Sequence, residues 1–273
     1  MKKWINNALS SGVIPHVIIT LGFVLLALLF YHPLLSGQTL LQSDIRQYDG
    51  MSRQLKDFRV NTGKETYWID NAFGGMPTYQ LGAKYPADVL SPIYSFFRTL
   101  PRPAHILFLY LLGAYLLLII IKMPWPVALF GSIAFGFSTY LLIIIQVGHN
   151  TKALAISFFP FVIAGIILLF QKRWFLGVTI TCLALGMQIR ANHYQMTYYL
   201  LMLMGIFVLF YGYYAIKQRH GKSFLMSLLA LTASGLIALG FNATPLLATA
   251  EYADFSTRGP SELKFNVDGS PKE

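Results

Sequence analysis

Apolar runs of about 16 to 24 residues, separated by short polar turns, limit what this chain can fold into more than any other feature. Hydrocarbon offers no partner to a backbone amide, so a run of this length must satisfy its own hydrogen bonds. Stretches rich in Leu, Ile and Phe without strict alternation therefore predict helices rather than a barrel. Seven runs stand out, at residues 13–35, 104–121, 126–145, 153–170, 174–189, 194–216 and 224–247. With 55% of 273 residues hydrophobic and 12% charged, a soluble core is excluded. The expected fold is all-α, a polytopic membrane helical bundle of about seven spans.

The net charge of +10 invites a nucleic-acid reading, but no basic, aromatic-interleaved module stands apart from the spans, so no nucleic-acid partner is expected. The cations fit a topological role instead. Lys2 and Lys3, Lys122, Lys172 and Arg173, and Lys217, Arg219 and Lys222 fall on one side of the seven runs. The short loops of the other side hold only Lys152 and Arg190. The positive-inside rule then puts the amino terminus in the cytoplasm. Its basic start, MKKWINNALSSG, lacks a small-residue cleavage site before a run of span length, which reads as a retained anchor. Cys182 is the only cysteine and lies within an apolar run, so no internal disulfide can form.

This orientation gathers the polar chemistry on the outer face. Loop 36–103, the turn QVGHNTK, the turn QIRANHYQ and the tail from Glu251 all fall there. Within the loop, Met51, Leu55 and Phe58 follow helical spacing with Arg53, Lys56 and Asp57 opposite; Leu90, Ile93, Tyr94 and Phe97 repeat the pattern. Both read as interfacial helices, with a turn at Gly74, Gly75 and Pro77 between them. Asp44 precedes the first of these helices and Asp49 follows at i+5. That spacing is roughly 140° on a helix, so the two carboxylates do not share a face. Alone, Asp44 would read as a cap and Asp49 as a surface ion pair with Arg53.

Their company gives them chemistry. His149, Asn150 and Lys152 occupy one outer turn; Gln188, Arg190, Asn192, His193 and Gln195 occupy another; Glu251 and Arg258 follow the last run. Together they supply an acid, cations and amide donors at one depth. Sugar transfer from a lipid-linked phosphate to a hydroxyl would use such a set, because a carboxylate takes the acceptor proton and a cation stabilises the departing phosphate. Singly, each residue has a plainer role in snorkelling, capping or interfacial anchoring.

The segments SDIRQYDGM, NAFGGMPTYQ, VGHNTKALAISFFPF, RANHYQMTYY and EYADFSTRGPSEL, in that order along most of the chain, resemble the YfhO family of bacterial membrane proteins, which is similar to the GT-C class of glycosyltransferases. The resemblance implies a GT-C-like inverting transferase of the bacterial cytoplasmic membrane. It would take a polyprenyl-phosphate sugar donor outside the cytoplasm and decorate a cell-envelope polymer or glycolipid acceptor. It also implies a catalytic acid in the first outer loop, which is Asp44 here, with Asp49 second. Lys152 and Arg190 are then expected to hold the donor phosphate, and Gln47, His149, Asn150, Asn192, His193 and Glu251 to bind substrate. Residues 1–250 form the expected membrane domain, and 251–273 an outer tail or the start of a region beyond an amino-terminal fragment. Two departures from the family pattern are that its acids are often adjacent, whereas these are five apart, and that its members are longer.

A lipid-linked sugar transporter or flippase is the rival reading, although the apolar runs contain no Asp, Glu, Lys or Arg. Gly136, Ser138 and Gly177 read as helix-packing residues. A non-catalytic scaffold would need the spans but not the outer polar set. No cofactor is expected, and a divalent cation is left open: His149, His193 and Asp44 lack the close spacing of a metal signature.

Overall fold

The computed structural model describes residues 12–256 and Ser270; Arg258, one of the expected outer cations, lies outside them. The described chain is mostly helical. Its helices are α1 (Ile14–Phe30), α2 (Ser43–Met51), α3 (Arg53–Thr62), α4 (Ser91–Phe97), α5 (Ala104–Ile120), α6 (Trp125–Gly136), α7 (Thr139–Val147), α8 (Asn150–Ser157), α9 (Phe159–Phe170), α10 (Trp174–Arg190), α11 (Tyr194–Lys217), α12 (Gly221–Phe241) and α13 (Ala243–Ala253). Three helical stretches are long and apolar enough to cross a membrane: Asn150–Phe170, which runs through α8 and α9, Tyr194–Lys217 and Gly221–Phe241. The pair α6 and α7 qualifies as a fourth if its 42° bend lies within one span. Ile14–Phe30, Ala104–Ile120 and Trp174–Arg190 are shorter apolar helices. Each of the seven expected runs falls on apolar helix, some of them divided between two helices. Only 11% of the most apolar window of α11 and 22% of that of α12 is buried, so their Leu, Ile and Phe side chains face outward, as a bilayer rather than water would favour.

Proline moves several of the expected boundaries. Pro33 has no N–H to give the Leu29 carbonyl, and α1 stops at Phe30 before a 3-10 turn, His32–Ser36, rather than running to residue 35. Pro245 likewise cannot donate to Phe241, where α12 ends; the run expected over 224–247 divides there. Ser138 is not a packing residue in mid-helix but an extended residue (ψ 138°) at the break between α6 and α7. Gly136 does pack, since a Cβ there would stand 2.7 Å from Leu111 Cδ2.

The chain divides into two compact units. The first comprises the described part of Met1–Asp49 together with Val89–Phe241. Its core centres on α5, buried along Ala104–Leu111 and again at Ala114 and Tyr115. From α1, Phe23 meets Tyr115 edge-on and His16 Nδ1 lies 2.7 Å from the Tyr115 hydroxyl. Small residues bring α9 and α10 close: a Cβ on Gly165 would lie 2.8 Å from Thr181 N, and one on Gly177 2.8 Å from Leu169 N. Leu90, expected to lie in the interface, is 2% exposed and packs in a cluster with Leu109, Phe158 and Met187.

The second unit comprises Gly50–Asp88 and the described part of Asn242–Glu273. Leu55 of α3 is fully buried there. Between Trp68–Ile69 and Met76–Pro77 the expected turn is a small antiparallel hairpin, pairing Trp68 with Pro77 and Ile69 with Met76. Arg59 clamps this unit by donating from Nε and Nη2 to the Glu65 carboxylate, at 2.7 and 2.6 Å, and from Nη2 to Gly82 O at 2.8 Å.

Candidate functional site

Asp44 lies in the first turn of α2 rather than ahead of it, where a carboxylate favours the unpaired amides of a helix start. The residues just before it anchor the segment. Gln42, 5% exposed, exchanges two amide hydrogen bonds with Asn150: its Nε2 donates to Asn150 Oδ1 at 3.2 Å and Asn150 Nδ2 donates to Gln42 Oε1 at 3.1 Å. Gln42 Nε2 also donates to Ile145 O, and Ser43 Oγ donates to Val147 O at 3.1 Å. The start of α2 is thereby stitched to the turn that follows α7.

That turn can approach because it is made by Gly148. Gly148 ends α7 with φ +100°, and a Cβ on it would stand 3.1 Å from the Cβ atoms of both Asp44 and Gln42. The next residue is thereby placed against the carboxylate: His149 Nδ1–H donates to Asp44 Oδ2 at 2.7 Å. An ionised carboxylate can only accept, so the ring donates its proton from Nδ1 and Nε2 is the unprotonated nitrogen. The pair is half-exposed, with 51% of the His149 and 40% of the Asp44 side chain accessible. It is neither sealed in the core nor free in bulk water.

Lys152, on the first turn of α8 with Asn150, holds its ammonium 5.3 Å from the centre of the Tyr140 ring. His193 is half-buried in the turn between α10 and α11. Burial first, then the positive field of Lys152, pushes its pKa below the ordinary value. The turns after α7 and α10 thus share one electrostatic neighbourhood. Arg190 is drawn over the Tyr94 ring of α4, 4.3 Å from its centre, a cation–π contact. Asn192, half-buried, takes up a left-handed conformation (φ +59°) that ends the turn after α10. Gln47 follows Asp44 at i+3 and is exposed on the same helix, whereas Asp49, also exposed, projects from another side. Glu251 is exposed on α13 in the second unit.

Sequence reasoning passed over Gln42 and Ser43, which anchor the Asp44 segment. Gln42 and Ser43 carry no signal beyond being polar next to Asp44, and their role depends on contacts more than a hundred residues away. Gln188, expected in an outer turn, is instead fully buried in the last part of α10, and both of its amide atoms lack a hydrogen-bond partner. His193 Nδ1 and Thr197 Oγ1, one helical turn apart, are likewise buried without one. Such groups call for a ligand or water. Among the described residues no cluster of three or more His, Cys, Asp or Glu side chains could hold a metal ion.

Comparison with known proteins gives no relative: no family model, curated protein or solved structure matches the chain.

Proposed function

We propose that the protein is a membrane glycosyltransferase of GT-C type that moves a sugar from a polyprenyl-phosphate donor to a hydroxyl of a cell-envelope acceptor, outside the cytoplasm. The observation that carries this reading is the hydrogen bond from His149 to Asp44, at the end of a helical bundle that can span a membrane. A donor with its tail in lipid and its head group in water can be met only at such a boundary.

In this reading the acceptor hydroxyl attacks the anomeric carbon, and its proton passes to the Asp44 carboxylate or directly to His149 Nε2, which the hydrogen bond from Nδ1 to Asp44 leaves free to accept it. The bond from the anomeric carbon to the phosphate oxygen breaks, with inversion, and the electron pair leaves with the lipid phosphate. Lys152 supplies positive charge to that leaving group. Arg190 would do the same by rotating away from Tyr94, and Asn150, already held by Gln42, would fix the turn. Gln47, Asn192 and His193 are assigned to substrate binding.

One observation favours the transport reading. The 42° break between α6 and α7 resembles the discontinuous helices of transporters, in which unwound backbone meets the cargo. The two readings part on whether the glycosidic bond of the donor is broken. Incubation of the protein in proteoliposomes with a labelled polyprenyl-phosphate sugar and an acceptor extract should give labelled acceptor and free lipid phosphate. Donor that crosses the bilayer intact, with no labelled product, would replace transfer by flipping.

A further inference from the structure

At the other end of the helical rod from His149, two turns meet around a second polar site. Asn150–Phe170 is 21 residues long, so the two ends stand about 31 Å apart, close to the thickness of a bilayer's hydrocarbon. The first turn follows α9, with Lys172 at φ +65°; the second follows α11, with Arg219 at φ +57°. Buried contacts hold them in place. Trp174 Nε1 donates to Ser227 Oγ at 3.3 Å, and that hydroxyl donates to Leu169 O at 2.7 Å. Phe170 stacks on Tyr211 and on Phe224, with ring centres 4.3 and 5.7 Å apart.

Between the turns lies an open cavity of about 350 Å³ lined by Lys172, Trp174, Arg219, His220, Lys222 and Ser223. Trp174 at the start of α10 and Lys222 and Ser223 in the first turn of α12 line it, so two helix starts stand beside three permanent cations. No Asp or Glu occurs between residues 89 and 250, and the acids of this unit, Asp44 and Asp49, belong to the His149 end. The positive charge therefore has no carboxylate of its own unit beside it.

The surroundings say what kind of anion fits. Met226 lines the cavity, and Phe175, Ile216, Leu225 and Leu229 close to it in sequence are 88%, 82%, 54% and 55% exposed. A ligand seated here has its charge among cations and the rest of itself against apolar side chains. We propose that this cavity binds the phosphate of an anionic membrane phospholipid, with the acyl chains running down the exposed faces of α10 and α12. The site is independent of any chemistry at Asp44.

The test measures binding of phosphatidylglycerol to the delipidated protein in detergent micelles, by native mass spectrometry and by the shift in melting temperature. Phosphatidylglycerol should bind and stabilise, while phosphatidylcholine or inorganic phosphate at equal concentration should not. Combining Lys172→Gln, Arg219→Gln and Lys222→Gln should weaken binding by about two orders of magnitude, each cation near an anionic headgroup contributing about fivefold. Should the triple variant fail to fold, each single variant should still lose about fivefold. Lys122→Gln, a cation that does not line the cavity, should bind as the parent does. Equal binding of phosphatidylcholine, an equal response to inorganic phosphate, undiminished binding by the variants, or an equal loss in Lys122→Gln would each overturn the proposal.

Discussion

His149 Nδ1 stands 2.7 Å from Asp44 Oδ2, joining the turn after α7 to the first turn of α2. Neither residue is unusual alone. As a pair they orient one another: the carboxylate fixes the imidazole tautomer, and the imidazole holds Oδ2 while Ser43 Oγ donates to Oδ1 at 3.4 Å.

If this pair receives the acceptor proton, Asp44→Asn should lower sugar transfer by at least ~100-fold, the usual worth of a positioned base. His149→Ala should also lower it, and the double variant should be no slower than Asp44→Asn, because groups acting as a unit are not additive. Steady-state transfer rates of the four proteins decide the matter. Independent, multiplying losses would separate the two residues in the mechanism.

Gly148→Ala removes no functional group, yet it should impair the site. The residue would have to hold φ near +100°, at a cost of about 1–2 kcal/mol, and its methyl would press on Asp44 and Gln42. Activity should fall while the helical circular dichroism stays unchanged. An Ala variant with parental turnover would mean that the close approach of these segments is dispensable.

His193 should titrate below the ordinary histidine range, since its burial and the charge of Lys152 oppose protonation. Its folded-state pKa is lower than its unfolded one, so acid favours the unfolded chain. The resulting loss of stability begins as pH falls through about 6.5 and levels off below the folded-state value. Lys152→Ala should raise the pKa of His193, read from its imidazole resonances by NMR, and lessen that loss. No movement on removing Lys152 would place the turns after α7 and α10 in separate electrostatic environments.

Arg59 and Glu65 form the best-enclosed ion pair among those described, with side chains 22% and 16% exposed. Burial alone would raise the pKa of Glu65, but the hydrogen bond from Arg59, a backbone hydrogen bond at Lys84 and the charges of both residues hold it below the ordinary value. Its contribution is present above the unfolded-state pKa and is lost as pH falls through the lowered one. Glu65→Gln should loosen residues 50–88 by about 1–2 kcal/mol at neutral pH, because the pair stays partly wet. Faster amide hydrogen exchange confined to that segment is the expected result; parental protection would show the clamp to be ornamental.

The amino-acid sequence by itself determined the helical class and the position of each apolar helix, because a long apolar run without alternation has one means of satisfying its own backbone. It also singled out Asp44, His149 and Asn150 as polar residues flanking apolar runs. What it could not supply is which of them touch. Pairing the start of α2 with the turn after α7 rests on Gln42 meeting Asn150 and on Gly148 letting two backbones close together. Those contacts join segments remote along the chain, and no local pattern encodes them. The break at Ser138, the burial of Gln188 and the cavity between the turns at Lys172 and Arg219 have the same origin, since helix-to-helix packing decides them where local propensity is silent.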